Sequence, residues 1–249
     1  MNRNIHVVSF GTTNTYKRSL KRIKQEAIDF GFFVDNIHIF TENDLPPEIK
    51  RKFKCENTRG YGYWMWKPFV LSTVCSRIPN DDILLYIDCG STLNKNGKER
   101  FQYYVEYMNV HDMLCFNTRY FPNQLDRYYE KQWSKMDLID FLNAKHLLDS
   151  IQLQASHFFI KNTTNICSFL NSWLDIGYID NNQYSNDKNS LIENHVSFKE
   201  HRHDQSIFSI LCKTRIENIK ILEDEMIYPL VVKGENIHNY PILTTRLRM

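Results

Sequence analysis

Short uninterrupted apolar runs alternate along the chain with stretches of helical spacing. The first run, residues 5–10, ends in a turn of small and hydroxylic residues, after which Leu20, Ile23 and Ala27 fall on one helical face. The uninterrupted run at residues 83–87 is typical of a parallel strand that is covered on both faces. This alternation predicts an α/β fold with a central, mostly parallel sheet flanked by helices.

The same periodicity locates the remaining elements. Strands are predicted at residues 5–10, 33–40, 83–87, 113–116, 156–160 and 219–222. Helices are predicted at residues 20–28, 68–74, 98–108, 132–148, 163–176 and 203–213. Residues 177–193 are rich in Asn, Asp and Ser and are predicted to form a long surface loop, while residues 233–249 show little pattern beyond Arg246 and Arg248.

Composition limits the function classes. A chain of 249 residues is long enough for one substantial domain, and a formal net charge of +2 offers no broad basic surface for nucleic acid. Six cysteines are scattered without disulfide or metal-ligand spacing, so we expect reduced thiols in a cytosol. Since no stretch resembles a signal peptide or a membrane span, we expect a cytoplasmic protein.

A carboxylate ends the most apolar strand. Asp88 directly follows residues 83–87, at the carboxyl end of a predicted parallel strand, where open α/β sheets bind their ligands. At that place it could hold a divalent cation or the ribose hydroxyls of a nucleotide. The alternative is that Asp88 caps the next turn through Ser91 or Thr92.

A loop of glycines and aromatic residues, residues 59–68, precedes this strand. Lys67 offers a point charge for a diphosphate, and the faces of Trp64 and Trp66 are suited to stacking on a base or a sugar. The alternative is that both tryptophans are core residues and Lys67 is a solvated surface residue. The contribution of Tyr63 stays open.

A third polar cluster begins the helix predicted at residues 203–213. Arg202 and a protonated histidine would favour a phosphate, whereas His201 and His203 without a third ligand are a weak metal signal. Asp204 opens the helix, and aspartate is also a favoured N-cap.

Three segments resemble the motifs of bacterial GT-A-fold glycosyltransferases that build surface polysaccharides: residues 59–68, 86–90 and 201–206. The resemblance spans most of residues 5–222. It implies a single GT-A-like (Rossmann-like) domain over residues 1–249, with a nucleotide-binding half at about 1–115 and an acceptor-side half at about 116–249.

Glycosyltransferases of this fold usually carry an Asp-x-Asp motif, whose first carboxylate lies near the ribose and the metal and whose second binds the metal. Asp88 matches the first position, but Gly90 stands at the second, so the resemblance leaves binding of Mn²⁺ or Mg²⁺ open. Asp88 and His203 are the candidate metal ligands, and Lys67 would supply part of the missing positive charge.

The resemblance also implies roles for the site residues. Asp204, Asp88 and Gln205 are the candidate catalytic residues, and Asp204 is the candidate base for an acceptor hydroxyl. The predicted acceptor side consists of Trp133, Lys135 and Gln154, for which packing alone is the alternative. The predicted nucleotide-sugar site consists of Phe10, Gly11, Thr12, Thr13, Arg59, Tyr63, Trp64, Trp66, Lys67, Asp88, Cys89, Gly90, His201, Arg202 and His203.

These expectations describe an enzyme that moves a sugar from a nucleotide-diphosphate donor, with a UDP-sugar favoured, to a saccharide or lipid-linked glycan in bacterial surface-polysaccharide synthesis. Two alternatives stay open: a carbohydrate-binding module without turnover, and a nucleotidyl or phosphoryl transferase, although the sequence has no Gly-x-x-x-x-Gly-Lys phosphate loop. Association with the inner face of the membrane through the basic helix near residues 17–24 also stays open.

Overall fold

A six-stranded sheet forms the centre of the molecule, with strand order β2-β1-β3-β6-β5-β7. The structure is a computed structural model that describes residues 3–33, 35–118, 128–223 and 239–245. The strands are β1 Ile5–Phe10, β2 Ile37–Phe40, β3 Ile83–Ile87, β4 Thr92–Leu93, β5 Met113–Phe116, β6 His157–Lys161, β7 Ile219–Leu222 and β8 Ile242–Leu243. The helices are α1 Thr13–Phe30, α2 Pro47–Lys52, α3 Gly60–Tyr63, α4 Trp66–Cys75, α5 Lys98–Val110, α6 Glu130–Trp133, α7 Met136–Phe141, α8 Thr164–Asn182 and α9 Asp204–Arg215.

The pairing of the strands confirms the predicted α/β class with a mostly parallel sheet. β1 pairs in parallel with both β2 and β3, and β5 pairs in parallel with β7. β6 is inserted antiparallel between β3 and β5. Because β1 and β3 are parallel neighbours, the residues that follow them lie at the same edge of the sheet.

Each face of the sheet is covered by its own apolar layer. In β3, Leu84 and Tyr86 belong to one layer and Leu85 and Ile87 to the other, because successive strand residues point to opposite faces. Helices α4, α8 and α9 contribute to the first layer, where Trp173 is fully buried, and α1 and α5 contribute to the second. This double cover explains the uninterrupted apolar run of β3.

Two predicted boundaries are wrong for local reasons. The strand predicted at residues 33–40 begins only at Ile37, because the chain turns at Phe33, whose ring is buried. The helix predicted at residues 132–148 is divided into α6 and α7, because Ser134 between them is extended, with φ −126° and ψ 131°.

The polar stretch at residues 177–193 is only in part a surface loop. Helix α8 runs on to Asn182, past a bend at residues 179–181, and residues 182–186 are buried. Their polar groups are satisfied inside the protein; Ser185 Oγ, for example, donates a hydrogen bond of 2.6 Å to the carbonyl of Gly177. Composition alone predicted exposure here, because it does not show which polar groups find internal partners.

Truncation of the central strand tests this packing. Leu85 is completely buried in β3, so we expect Leu85→Ala to lower the free energy of unfolding by about 2–5 kcal/mol, through lost apolar burial and the cavity that remains. Val110, the last residue of α5, is 64% exposed, so Val110→Ala is the control and should change the free energy of unfolding by less than about 0.5 kcal/mol. Equal urea midpoints for the two variants would contradict this view of the core.

Candidate active site

Asp88 stands at the carboxyl edge of the sheet, immediately after β3. Its backbone N–H donates to the carbonyl of Ser156 at 2.8 Å, and its Oδ1 accepts a hydrogen bond of 2.6 Å from the Tyr86 hydroxyl. The side chain is 40% exposed, so the carboxylate is oriented by the protein and still reaches solvent. The backbone N–H of Ser91 donates to the carbonyl of Asp88 at 2.9 Å.

A buried ammonium lies between two carboxylates at this edge. Lys67, in the first turn of α4, is 2% exposed, and its Nζ donates to Asp204 Oδ2 at 2.6 Å and to the carbonyl of Ala155 at 2.9 Å. The same Nζ lies 4.0 Å from Asp88 Oδ1 and 5.0 Å from the centre of the Tyr86 ring. Lys67 therefore joins segments that are 137 residues apart in the sequence.

Asp204 is the first residue of α9 and is buried. Burial raises its pKa from 3.8 to about 6; the Lys67 ammonium opposes this rise, and the negative charge of Asp88 adds to it. The carbonyl of Asp204 is fixed as well, because it accepts a hydrogen bond of 3.2 Å from Trp173 Nε1. Burial thus brings the pKa of Asp204 closer to neutral pH than that of a solvated aspartate.

The loop that precedes Lys67 has a strained backbone. All five residues from Gly60 to Trp64 have positive φ, including the non-glycine residues Tyr61 and Tyr63. Such conformations cost of order 1–3 kcal/mol each for non-glycine residues, so the surrounding structure must enforce them. A Cβ on Gly60 would lie 2.3 Å from the Trp64 ring, which explains the glycine at that position.

Aromatic stacking anchors this loop to the end of β1. The Trp66 ring stacks on Phe10 with 3.9 Å between ring centroids, and Trp66 Nε1 donates to the carbonyl of Gly60 at 3.1 Å. Trp66 is buried, whereas Tyr63 and Trp64 keep partly exposed rings. Trp66 is therefore a core residue, and the aromatic surface of this loop that stays partly exposed is formed by Tyr63 and Trp64.

His201 and His203 are buried, and the His203 ring contacts the rings of Tyr63 and Trp64. His201 Nε2 contacts the carbonyl of Tyr184 at 2.9 Å, and His203 Nδ1 contacts that of Ser185 at 2.8 Å. Burial is the main cause that lowers the pKa of both rings, which favours their neutral form over the protonated histidine expected against a phosphate. His203 stacks on Tyr63 at 5.0 Å, and its φ of 51° with ψ −120° is a second strained conformation.

The outer rim carries the two predicted arginines. Arg59 Nη1 donates to Glu200 Oε1 at 2.8 Å, which links the loop before α4 to the segment before α9. The Arg202 guanidinium lies 4.3 Å from the centre of the Trp133 ring. Both side chains are partly exposed, and Arg202 Nη2 also lies 3.6 Å from Glu200 Oε2.

The predicted acceptor-side residues have different surroundings. Trp133 Nε1 and Gln154 Nε2 are buried and have no hydrogen-bond partner among the described residues. Lys135 instead donates to the carbonyls of Gln183, Asn186 and Lys188, inside the polar stretch that follows α8. Its predicted acceptor contact is therefore corrected to a structural role.

The predicted nucleotide end lies at the start of α1. Gly11 follows β1, and the Thr13 N–H and hydroxyl both donate to the Glu42 carboxylate, the former at 2.8 Å. Glu42 was missed by the sequence interpretation, although its place just after β2, at the same edge as Asp88, is a usable signal. Thr12 is the N-cap residue of α1, with an extended backbone.

Cys89 and Gly90 form the turn after Asp88, and hydrogen bonds to their carbonyl groups hold this turn in place. Cys89 is buried, and its carbonyl accepts a hydrogen bond of 2.9 Å from Arg22 Nη2. The carbonyl of Gly90 accepts one of 2.9 Å from Thr245 Oγ1, next to β8, which pairs with β4. Part of the tail that seemed patternless thus supports the turn that carries Asp88.

Gln205 is fixed by both ends of its amide. Its Nε2 donates to Gln152 Oε1 at 2.7 Å, and its Oε1 accepts from the Ala155 N–H at 3.4 Å. Gln152 was not among the predicted site residues. The structure therefore brings Asp88, Lys67, Asp204 and Gln205 together around Ala155.

The donor set for a divalent cation is incomplete in the described part of the chain, where no three His, Cys, Asp or Glu side chains are grouped as metal ligands. Asp88 Oδ1 accepts from Tyr86, and the His203 ring is held by the carbonyl of Ser185. These residues do not fit a cation bound by protein side chains alone. The Lys67 ammonium is a charged group beside Asp88, 4.0 Å from its Oδ1.

Two solved structures share this architecture. A glycosyltransferase involved in the glycosylation of the major capsid of PBCV-1 superposes with a TM-score of 0.55 and 8% identity, over 96% of this chain and 93% of that chain. The bifunctional glycosyltransferase WbbM superposes with a TM-score of 0.51 and 12% identity, over 91% of this chain and 40% of that chain. No family model and no curated protein sequence matches. The chain therefore has the GT-A fold of glycosyltransferases.

The raised pKa of Asp204 predicts a pH dependence of stability. Since its folded pKa of about 6 exceeds 3.8, the folded state binds more protons between these values, and the stabilisation present below pH 4 is lost as pH rises through 6. We expect the free energy of unfolding of the wild type, relative to Asp204→Asn, to fall by about 2–3 kcal/mol from pH 4 to pH 7.

Urea unfolding at each pH measures this difference. Asp140→Asn, at an exposed carboxylate of α7, is the matched control and should keep the pH profile of the wild type. A difference between wild type and Asp204→Asn that stays constant with pH would contradict the assignment.

Proposed function

We propose that this protein is a glycosyltransferase that moves a sugar from a nucleotide-diphosphate donor, a UDP-sugar in the first instance, to a saccharide acceptor. The observation that carries the proposal is the pair of carboxylates, Asp88 and Asp204, joined by the buried Lys67 at the carboxyl edge of a GT-A sheet. A binding module would not require two carboxylates and an ammonium at that place, because the charges must be desolvated at a cost.

The positions of the side chains suggest a role for each of them in the transfer reaction. Transfer passes through an oxocarbenium-like state at the anomeric carbon, with the nucleoside diphosphate leaving. The partly exposed Asp88 is placed to bind the ribose of the donor, beside Tyr63 and Trp64 as stacking surfaces. Arg59 and Arg202 are the surface cations that would face the diphosphate.

Asp204 is our candidate for the group that receives the acceptor proton. A base works best with a pKa near the operating pH, and the pKa of about 6 places Asp204 there. The Lys67 ammonium favours the ionised form of the Asp204 carboxylate and holds it in position. In this proposal Lys67 therefore acts on the carboxylates and not directly on the diphosphate. Gln205 is the neighbouring polar group on the sugar side.

The acceptor and its setting form the outer part of the proposal: a lipid-linked glycan of bacterial surface-polysaccharide synthesis, at the cytoplasmic face of the membrane. The resemblance of residues 59–68 and 201–206 supports it. Helix α1 also exposes a cationic face with Lys17, Arg18 and Lys21, which suits anionic lipid. In the described part of the chain, no helix combines the length and the apolar character that a membrane span needs.

Nucleotide binding is the first test. We expect UDP, GDP or CMP to raise the melting temperature in a thermal-shift measurement, because a ligand at 100 times its Kd stabilises by about 2.7 kcal/mol. Each nucleotide is measured with EDTA and with Mn²⁺, and a rise only with Mn²⁺ would assign a cation that enters with the diphosphate. No rise with any nucleotide in either condition would contradict the proposed function.

Removal of the strand-end carboxylate is the second test. We expect Asp88→Asn to reduce sugar transfer from the donor found above by at least about 100-fold, because it removes a charged contact from the reacting region, while the melting temperature changes little. Asp140→Asn on the exposed face of α7 is the control and should retain transfer. Full turnover by Asp88→Asn would remove Asp88 from the site.

A further inference from the structure

A buried polar network extends from the centre of the site to α6. Its far end is Glu130, which is completely buried and paired with the Lys213 ammonium at 2.7 Å. Lys213 Nζ also donates to Ser150 Oγ at 2.9 Å and to the carbonyl of Ile151 at 2.6 Å. The ammonium and these partners fix Glu130 in place. Burial of the Glu130 and Lys213 charges costs desolvation free energy, which only close pairing and hydrogen bonds offset.

Glu130 determines how the Gln152 amide is oriented. Gln152 Nε2 lies 3.2 Å from Glu130 Oε2 and 3.1 Å from Ser134 Oγ, and Ser134 Oγ donates to the same carboxylate oxygen at 2.7 Å. A carboxylate can only accept hydrogen bonds, so the NH₂ end of Gln152 must face it. Gln152 Oε1 therefore points the other way, towards Gln205.

The orientation is passed on to Gln205. Because Gln152 presents an oxygen, Gln205 turns its Nε2 towards it at 2.7 Å, and its Oε1 then faces the Ala155 N–H at 3.4 Å. The carbonyl of the same residue, Ala155, accepts from Lys67 Nζ at 2.9 Å. The amide network and the charge pair of the site thus meet at one peptide residue.

We propose that Glu130 and Gln152 are positioning residues that set the amide orientation of Gln205 towards the donor sugar. This inference rests on the proposed function for its consequence in transfer, and on the buried contacts for the orientation itself. One end of an amide donates hydrogen bonds and the other accepts them, so a reversed Gln205 would exchange the donor and the acceptor that it presents.

The kinetic test is a double-mutant cycle. Gln152→Met keeps the length of the side chain but removes the contact to Gln205 Nε2, so we expect kcat to fall about 10- to 100-fold with little change in the KM of the donor. In a Gln205→Met background, the same Gln152→Met change should have no further effect on kcat. Equal effects in both backgrounds would overturn the proposal.

Thr163→Ala is the control for stability. The Thr163 side chain accepts a hydrogen bond from the Ile166 N–H at the start of α8, so its loss removes a helix cap without touching Glu130, Gln152 or Gln205. We expect a lowered melting temperature with kcat retained. A loss of kcat as large as that of Gln152→Met would show that general destabilisation, and not orientation, explains the effect.

A measurement without turnover separates this inference from the proposed function. In ¹⁵N NMR spectra, the side-chain amide of Gln205, assigned by its absence in Gln205→Met, should exchange slowly with solvent in the wild type. The exchange should accelerate at least 10-fold in Gln152→Met and remain slow in Thr163→Ala. Fast exchange in the wild type would overturn the orientation even if sugar transfer is found, and slow exchange without transfer would fault only the proposed function.

Discussion

The ion pair between Lys67 and Asp204 is the constraint on which the rest of the site depends. Its ammonium and carboxylate are both buried, so each is tolerable only in the presence of the other. Lys67 comes from α4, Asp204 from α9, and the Ala155 carbonyl that completes the contact precedes β6. Three segments that are distant in the sequence are thereby forced to meet where Asp88 ends β3.

Strained backbone precedes each member of this pair. Residues 60–64 have positive φ shortly before Lys67, and His203 has φ 51° immediately before Asp204. The two strained segments also contact each other, since the rings of Tyr63 and His203 stack at 5.0 Å. Strain of this kind persists only where packing enforces it, so the ion pair and the aromatic stack stabilise the conformations that deliver the two charges.

Burial of polar groups continues outward from the pair in two directions. On one side, Lys135 and His201 bind carbonyl groups of the stretch after α8, so an Asn- and Ser-rich segment is ordered inside the protein. On the other, Glu130 and Gln152 support Gln205. Because unpaired buried polar groups are costly, most polar groups of the two networks have hydrogen-bond partners, whereas Trp133 Nε1 and Gln154 Nε2 have none among the described residues.

The sequence by itself determined the sheet class, the place of Asp88 at a strand end and the opening of α9 by Asp204, because these follow from periodicity and local chemistry. It did not determine that Lys67 would be the buried counter-ion of Asp204 or that Lys135 would donate to backbone carbonyls. Nor did it determine the hydrogen bonds that Glu42, Glu130 and Gln152 make at or near the candidate site. Only the tertiary structure decided these, because whether a polar side chain is solvated or buried depends on partners brought from distant segments, which local pattern does not record.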